Sequence, residues 1–189
     1  MPLARASDHL DVCERELAGN FQPEKLLNQF KGAYLKAPSF SRTFPLLEEI
    51  LHCDARNLFR FLHHALLRVC SHLNIETEVR VSSQIRIDHG LKGQEKVLAL
   101  CHAVEATHYV NSIGGTALYS GKAFQARHVE LQFLRMTQFQ YPQFNHEFVP
   151  MLSIIDVLMF NPIESVRSFV ASRYEICRAA MPQPAELAP

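Results

Sequence analysis

The sequence predicts an α/β fold: a small, mostly parallel sheet flanked by helices, with a helical C-terminal third and a mixed sheet as the alternative. Three observations predict it. The hydrophobic period changes from about 3.6 residues to 2 near residue 75. Segments 75–134 then read in the order β-α-β-α-β. An apolar run at 151–160, followed by a capped restart, returns the chain to helix. With 189 residues, 48% hydrophobic and 20% charged, the chain has the length for a sizeable core. It reads as one domain over 1–180 and a disordered tail over 181–189, where three prolines fall in nine residues.

The first twenty residues form only a weak element. Lys36-Ala37-Pro38-Ser39-Phe40 breaks any helix, and Pro45 is expected to open a short one over Leu46–Leu51. Residues 55–73 give the clearest helix, with Leu58, Leu62, Ala65, Leu66, Val69 and Leu73 on one stripe and Arg56, Arg60, His64 and Ser71 opposite. Asp54 stands where an N-cap would be useful. Ile75, Thr77, Val79 and Val81 alternate with Glu76, Glu78 and Arg80, the signature of a strand with one polar face.

After a break at Asp88-His89-Gly90, the spacing predicts a helix over 95–105 with Val97, Cys101 and Val104 inward. A strand at 107–110, a Gly-Gly loop, a helix or turn at 117–127 and a strand at 129–134 follow. Crossovers of this length favour right-handed parallel units. The first and third strands alternate with charge, whereas parallel strands are usually buried on both faces. That leaves edge positions or a mixed sheet open. Met151–Phe160 is almost wholly apolar, and Asn161-Pro162-Ile163-Glu164 reads as N-cap, first-turn proline and first-turn acid.

Composition narrows the function classes. Nineteen Lys and Arg against nineteen Asp and Glu leave no surplus for phosphate neutralisation, so nucleic acid is not an expected partner. No apolar run reaches the ~18 residues of a membrane span, and no secretory signal is visible. Five spread cysteines without a C-x-x-C are expected to be reduced thiols, which places the protein in the cytoplasm. Ten histidines include no H-E-x-x-H and no zinc spacing, so no metal site is expected. There is no G-x-G-x-x-G, no G-K-[ST] and no G-x-S-x-G. The cofactor is unknown.

In an open parallel sheet, ligands bind beyond the carboxyl ends of the strands. Three segments are expected at that edge: Ser82-Ser83, then Asn111-Ser112-Ile113-Gly114-Gly115-Thr116, then Arg135-Met136-Thr137. The adjacent Gly114 and Gly115 permit a sharp turn and close backbone approach. Thr116 could cap a following helix, and Arg135 would add charge-assisted donors for a phosphate or carboxylate. The competing reading is a tight connection with no ligand. Asp156 stands out inside the apolar run, because a buried carboxylate is costly unless paired or hydrogen-bonded. It is either a structural cap or ion-pair partner, or a catalytic base or sugar-hydroxyl acceptor.

Several segments together resemble the WbqC-like family of bacteria. They are Tyr34–Phe40, Ser82-Ser83, His108–Tyr119 with its Tyr-x-Asn-x-x-Gly-Gly block, and Pro150–Asn161 with Leu-Ser-Ile-Ile-Asp. Phe124, Val129–Leu134 and Tyr141-Pro142-Gln143 match its spacing as well. Members are often encoded among genes for surface polysaccharides, including O-antigen. The resemblance therefore implies a bacterial protein that binds an activated, nucleotide-linked sugar or similar anionic small molecule, acting as a transferase. It supplies no catalytic residue. Members begin with a Gln-Pro-x-Tyr-x-Pro block that this chain lacks, so it reads as an N-terminally shortened relative, and an exposed sheet edge would favour a homodimer. A non-catalytic scaffold protein and an inactive truncated relative are the alternatives.

Overall fold

The computed structural model describes residues 1–145 and 147–178; the expected tail at 181–189 lies outside them. The chain divides into two compact units. The first comprises Met1–Glu78 and Phe139–Ala171, and the second Val79–Gln138 with Ser172 onward. The two units thus alternate along the sequence, each built from two segments.

The first unit is helical: α1 (Pro23–Tyr34), α2 (Phe40–Leu51), α3 (Leu58–His72), α6 (Ile154–Phe160) and most of α7 (Ile163–Ser172). Pro23 at the first turn sets the helical φ of α1 where no N–H partner is needed. The expected break at 36–40 is present, but Pro45 lies inside α2 rather than opening it. Asn57, not Asp54, caps α3; its Oδ1 accepts from the Arg60 N–H at 3.1 Å. Of the expected stripe on α3, Leu58, Ala65, Val69 and Leu73 meet the core, but Leu62 and Leu66 do not. Phe61 is the helix's anchor, whereas Leu62 and Leu66 are 46% and 51% exposed. Phenylalanine at 61 carries more apolar area than either leucine, and burial follows the larger payload.

α6 starts at Ile154, and the Ser153 Oγ accepts from the Ile155 N–H at 3.3 Å. Its C-terminal carbonyls are taken up by α2 and by Ser39, the residue before it. The Thr43 hydroxyl donates to the Leu158 carbonyl and the Ser39 backbone N–H to that of Met159, both at 2.9 Å. The Asn161 amide donates to the Val157 carbonyl at 2.8 Å, so Asn161 closes α6 instead of serving the expected N-cap role for α7. Leu47, Phe61, Leu158, Met159 and Val166 lie at the centre of this unit's core.

The second unit holds the sheet. β1 (His108–Ser112) pairs in parallel with β2 (Glu130–Met136), and β2 pairs antiparallel with β3 (Tyr174–Arg178). The fold is therefore α/β with a small mixed sheet. Two corrections follow. The expected strand over 75–81 is absent: residues 76–80 are exposed and irregular, so their alternation faced no core. β3 was not expected, because the C-terminal third reads as helix. Helices α4 (Gly93–Ala103) and α5 (Gly121–Gln125) cover one face of the sheet, burying Leu98, Cys101 and Phe124 with Leu131 and Phe133. The other face carries His108, Ser112, Glu130 and Gln132 beside Val110 and Leu134, so it is not buried as the faces of parallel strands usually are.

Helices α3, α4 and α5 end alike. Asn74, Glu105 and His128 each adopt positive φ (55°, 55° and 58°) and accommodate the paired 6→1 and 5→2 hydrogen bonds usual at a left-handed helix terminus.

Candidate functional site

Parallel pairing aligns Ser112 with Leu134, so the turn after β1 and Arg135 stand at the same rim of the sheet. The turn, a 3-10 stretch over Ile113–Leu118, is locked by the strand that feeds it. The Ser112 N–H donates to Asn111 Oδ1 at 2.7 Å, and Asn111 Nδ2 donates to the Tyr109 hydroxyl at 3.1 Å. That hydroxyl donates to Tyr119 at 3.4 Å. Gly115 is buried against this arrangement: a Cβ there would meet Asn111 Nδ2 at 3.3 Å and Cγ at 3.4 Å. Gly114 is exposed, with open space at its Cβ position. The Tyr-x-Asn-x-x-Gly-Gly block is thus one local device, in which a phenol holds an amide and a glycine makes room for it. Burial, with the bond to Tyr119 adding to it, pushes the Tyr109 phenol well up.

The other expected residues are placed as follows. Ser112 and Arg135 are exposed at the rim, and Arg135 lies opposite Glu175 of β3. Ser82 and Ser83 form a short exposed 3-10 turn with no strand before them. Thr116 does not cap α5; Ser120 does, its Oγ accepting from the Ala123 N–H at 3.4 Å. Tyr119 was not singled out from sequence, because nothing local marks the ring that will meet a phenol ten residues earlier.

Asp156 belongs to the first unit, and its partners are residues of that unit. It is buried (4% exposed), with Oδ1 accepting from the Tyr34 hydroxyl at 3.0 Å. Oδ2 accepts from the Tyr141 hydroxyl at 2.6 Å and from Gln143 Nε2 at 2.8 Å. Gln143 is itself fixed by Val149, donating to its carbonyl at 3.2 Å and accepting from its N–H at 2.7 Å. The carboxylate thus joins α1, the 141–143 segment and α6 through three neutral donors, which offset the cost of burying it.

The two phenols carry a pH dependence. Burial first, and then the bond to Asp156, pushes Tyr34 up to about 12; the same two causes push Tyr141 up further. A phenol whose native pKa exceeds its ordinary value near 10 keeps its proton after the unfolded chain has lost it. Its contribution is complete below about pH 10 and is lost as pH rises through the native value. The expected result is a melting temperature that falls steadily above about pH 10, with part of the slope removed in Tyr34→Phe. A flat profile from about pH 9 to 11 would contradict it.

The charge balance also differs between the units. The second carries nine Lys and Arg against six Asp and Glu, and the first ten against thirteen, so a neutral chain is split into a basic and an acidic part.

The WbqC-like protein family matches residues 1–168, which takes in every expected site residue from Ser82 to Asp156. The chain belongs to the WbqC-like family. No curated protein and no solved structure matches it. Among the described residues, no helix is long and apolar enough to cross a membrane. The family match covers the helical unit as well as the sheet: it runs through both segments of the first unit except the end of α7, and it stops before β3.

Proposed function

We propose that the second unit binds an anionic, nucleotide-linked sugar or similar phosphate-bearing derivative at the carboxyl end of β1 and β2, and that the protein acts as a transferase in bacterial surface-polysaccharide assembly. The observation that carries this reading is the parallel register, which brings exposed Arg135 to the rim where the 112–116 turn begins. The basic surplus of that unit supports it, because an anion gains from the whole local field as well as from one guanidinium. In this reading Arg135 neutralises the phosphate, Ser112 and Gly114 face the ligand, and Asn111 and Gly115 hold the turn in shape. Asp156 does not enter the chemistry, since its three hydrogen bonds already occupy it. Ser82 and Ser83 are left out because no strand delivers them to that rim.

Calorimetric titration of uridine diphosphate sugars, uridine diphosphate and the parent sugars tests this. Binding is expected for the phosphate-bearing ligands only, weakened about tenfold in Arg135→Ala. Glu175→Gln, which removes the carboxylate opposite Arg135, is expected to strengthen it. Equal affinity in Arg135→Ala, or no anion bound at all, would sink the proposal.

One observation favours a second reading, that of a non-catalytic scaffold. Leu62, Leu66 and Leu67 of α3 are 46%, 51% and 40% exposed on a helix that has no acidic residue. Stable co-purification with one partner protein that is lost in Leu62→Glu/Leu66→Glu, together with no ligand response, would favour it.

A further inference from the structure

At the opposite rim, where β2 begins, the second unit has an open cleft of about 530 Å³. This lies within the range usual for small-molecule sites. Its polar lining comes from three separate places: Gln125 at the end of α5, His128 and Glu130 entering β2, and Arg178 ending β3. Gly121, Val129 and Leu131 complete the wall, the last two with little more than an edge, because both are buried in the sheet's core.

Two of the polar groups, Glu130 and Arg178, are paired before any ligand arrives. Glu130 is gripped on both oxygens. Gln132 Nε2 at 3.1 Å and Arg178 Nε at 3.0 Å reach Oε1, and His108 Nε2 lies 3.3 Å from Oε2. The Gln132 amide, with the Arg178 and His108 charges adding to it, holds the Glu130 carboxyl below its usual range, so it stays an acceptor at neutral pH. The Arg178 guanidinium meets Glu130 through Nε, which leaves its terminal amino groups as further donors. Glu130 and Arg178 also cancel each other's charge.

A cleft with internally balanced charge has no call for a counter-ion. What it offers is a set of planar side chains that mixes donors (Arg178, the Gln125 and His128 N–H groups) with acceptors (Glu130, the Gln125 carbonyl). A hydroxyl group both donates and accepts, and several on one ring satisfy such a set. We infer that this cleft is a binding site for a neutral, hydroxyl-rich small molecule of monosaccharide to disaccharide size. It is distinct from the anion rim at Arg135 and does not depend on that assignment.

Amide-resolved NMR titration of the full chain tests the site. The probes are glucose, galactose, N-acetylglucosamine and myo-inositol, with succinate and inorganic phosphate as anionic controls. At least one hydroxylated probe is expected to give saturable shifts at Gln125 and at His128–Leu131, and the anions none there. Arg178→Ala, at an exposed side chain, is expected to keep the melting temperature and weaken that binding about tenfold. His128→Gly relieves a left-handed backbone and is expected to raise the melting temperature while weakening the same binding, a combination that a purely structural histidine would not give. No saturable shift with any hydroxylated probe, shifts confined to 111–116 and 135, a response at 125–131 to the anions alone, or undiminished binding in both variants would each overturn it. A failure of uridine diphosphate sugars to bind at Arg135 would leave these readings unaffected.

Discussion

Asp156→Ala is expected to destabilise the first unit by about 3–5 kcal/mol. The substitution removes the common acceptor of Tyr34, Tyr141 and Gln143 at a largely buried site, and three donors lose it at once. Gln143 cannot turn away, because Val149 fixes both ends of its amide. Asp156→Asn keeps the volume and one carbonyl oxygen. It also sets an NH₂ group against either the Tyr34 hydroxyl or the pair formed by Tyr141 and Gln143, so a loss of about 2 kcal/mol is expected. The chain has no tryptophan and two of its five tyrosines belong to this cluster, so urea unfolding followed by tyrosine fluorescence includes its signal. A change below about 1 kcal/mol in Asp156→Ala would show that the carboxylate is not the hub of the unit.

The second large effect is expected in the sheet unit. Gly115→Ala should cost about 1–3 kcal/mol, and Gly115→Val should leave that unit largely unfolded. The new methyl group meets Asn111, whose side chain is held by the Ser112 N–H on one side and the Tyr109 hydroxyl on the other and cannot yield without breaking one of them. Gly114→Ala is the control. Its Cβ enters open space, and alanine narrows the unfolded ensemble, so a small gain of about 0.5 kcal/mol is expected. Near-UV circular dichroism of Tyr109 and Tyr119 during thermal unfolding checks both, and equal behaviour of the two glycine variants would contradict the assigned close approach.

Much of the fold was legible from residues alone. The helices at 58–72, 93–103 and 154–160 lie close to where hydrophobic spacing expects them, because periodicity reports a face and a face needs only a core somewhere. β1 and β2 were found for the same reason. The segment at 75–81 fails for the converse one. Alternation is also what a solvated extended segment shows, and only pairing makes a strand. β3 was missed because Tyr174–Arg178 follows α7 almost directly, and an edge strand of five residues with one partner carries little pattern of its own.

The candidate sites divide along the same line. Sequence by itself determined the Tyr-x-Asn-x-x-Gly-Gly turn, since its hydrogen bonds run between neighbours, and it marked Asp156 as a carboxylate that needs partners. It could not name them, because Tyr34 is 122 residues away, and it could not find the Glu130–Arg178 pair, which depends on the register of an antiparallel strand. Nor could it see that a chain with no net charge is built from an acidic unit and a basic one. Composition sums over the whole chain, whereas the boundaries at 78 and 139 are set by which side chains pack together, and only the tertiary structure decides that.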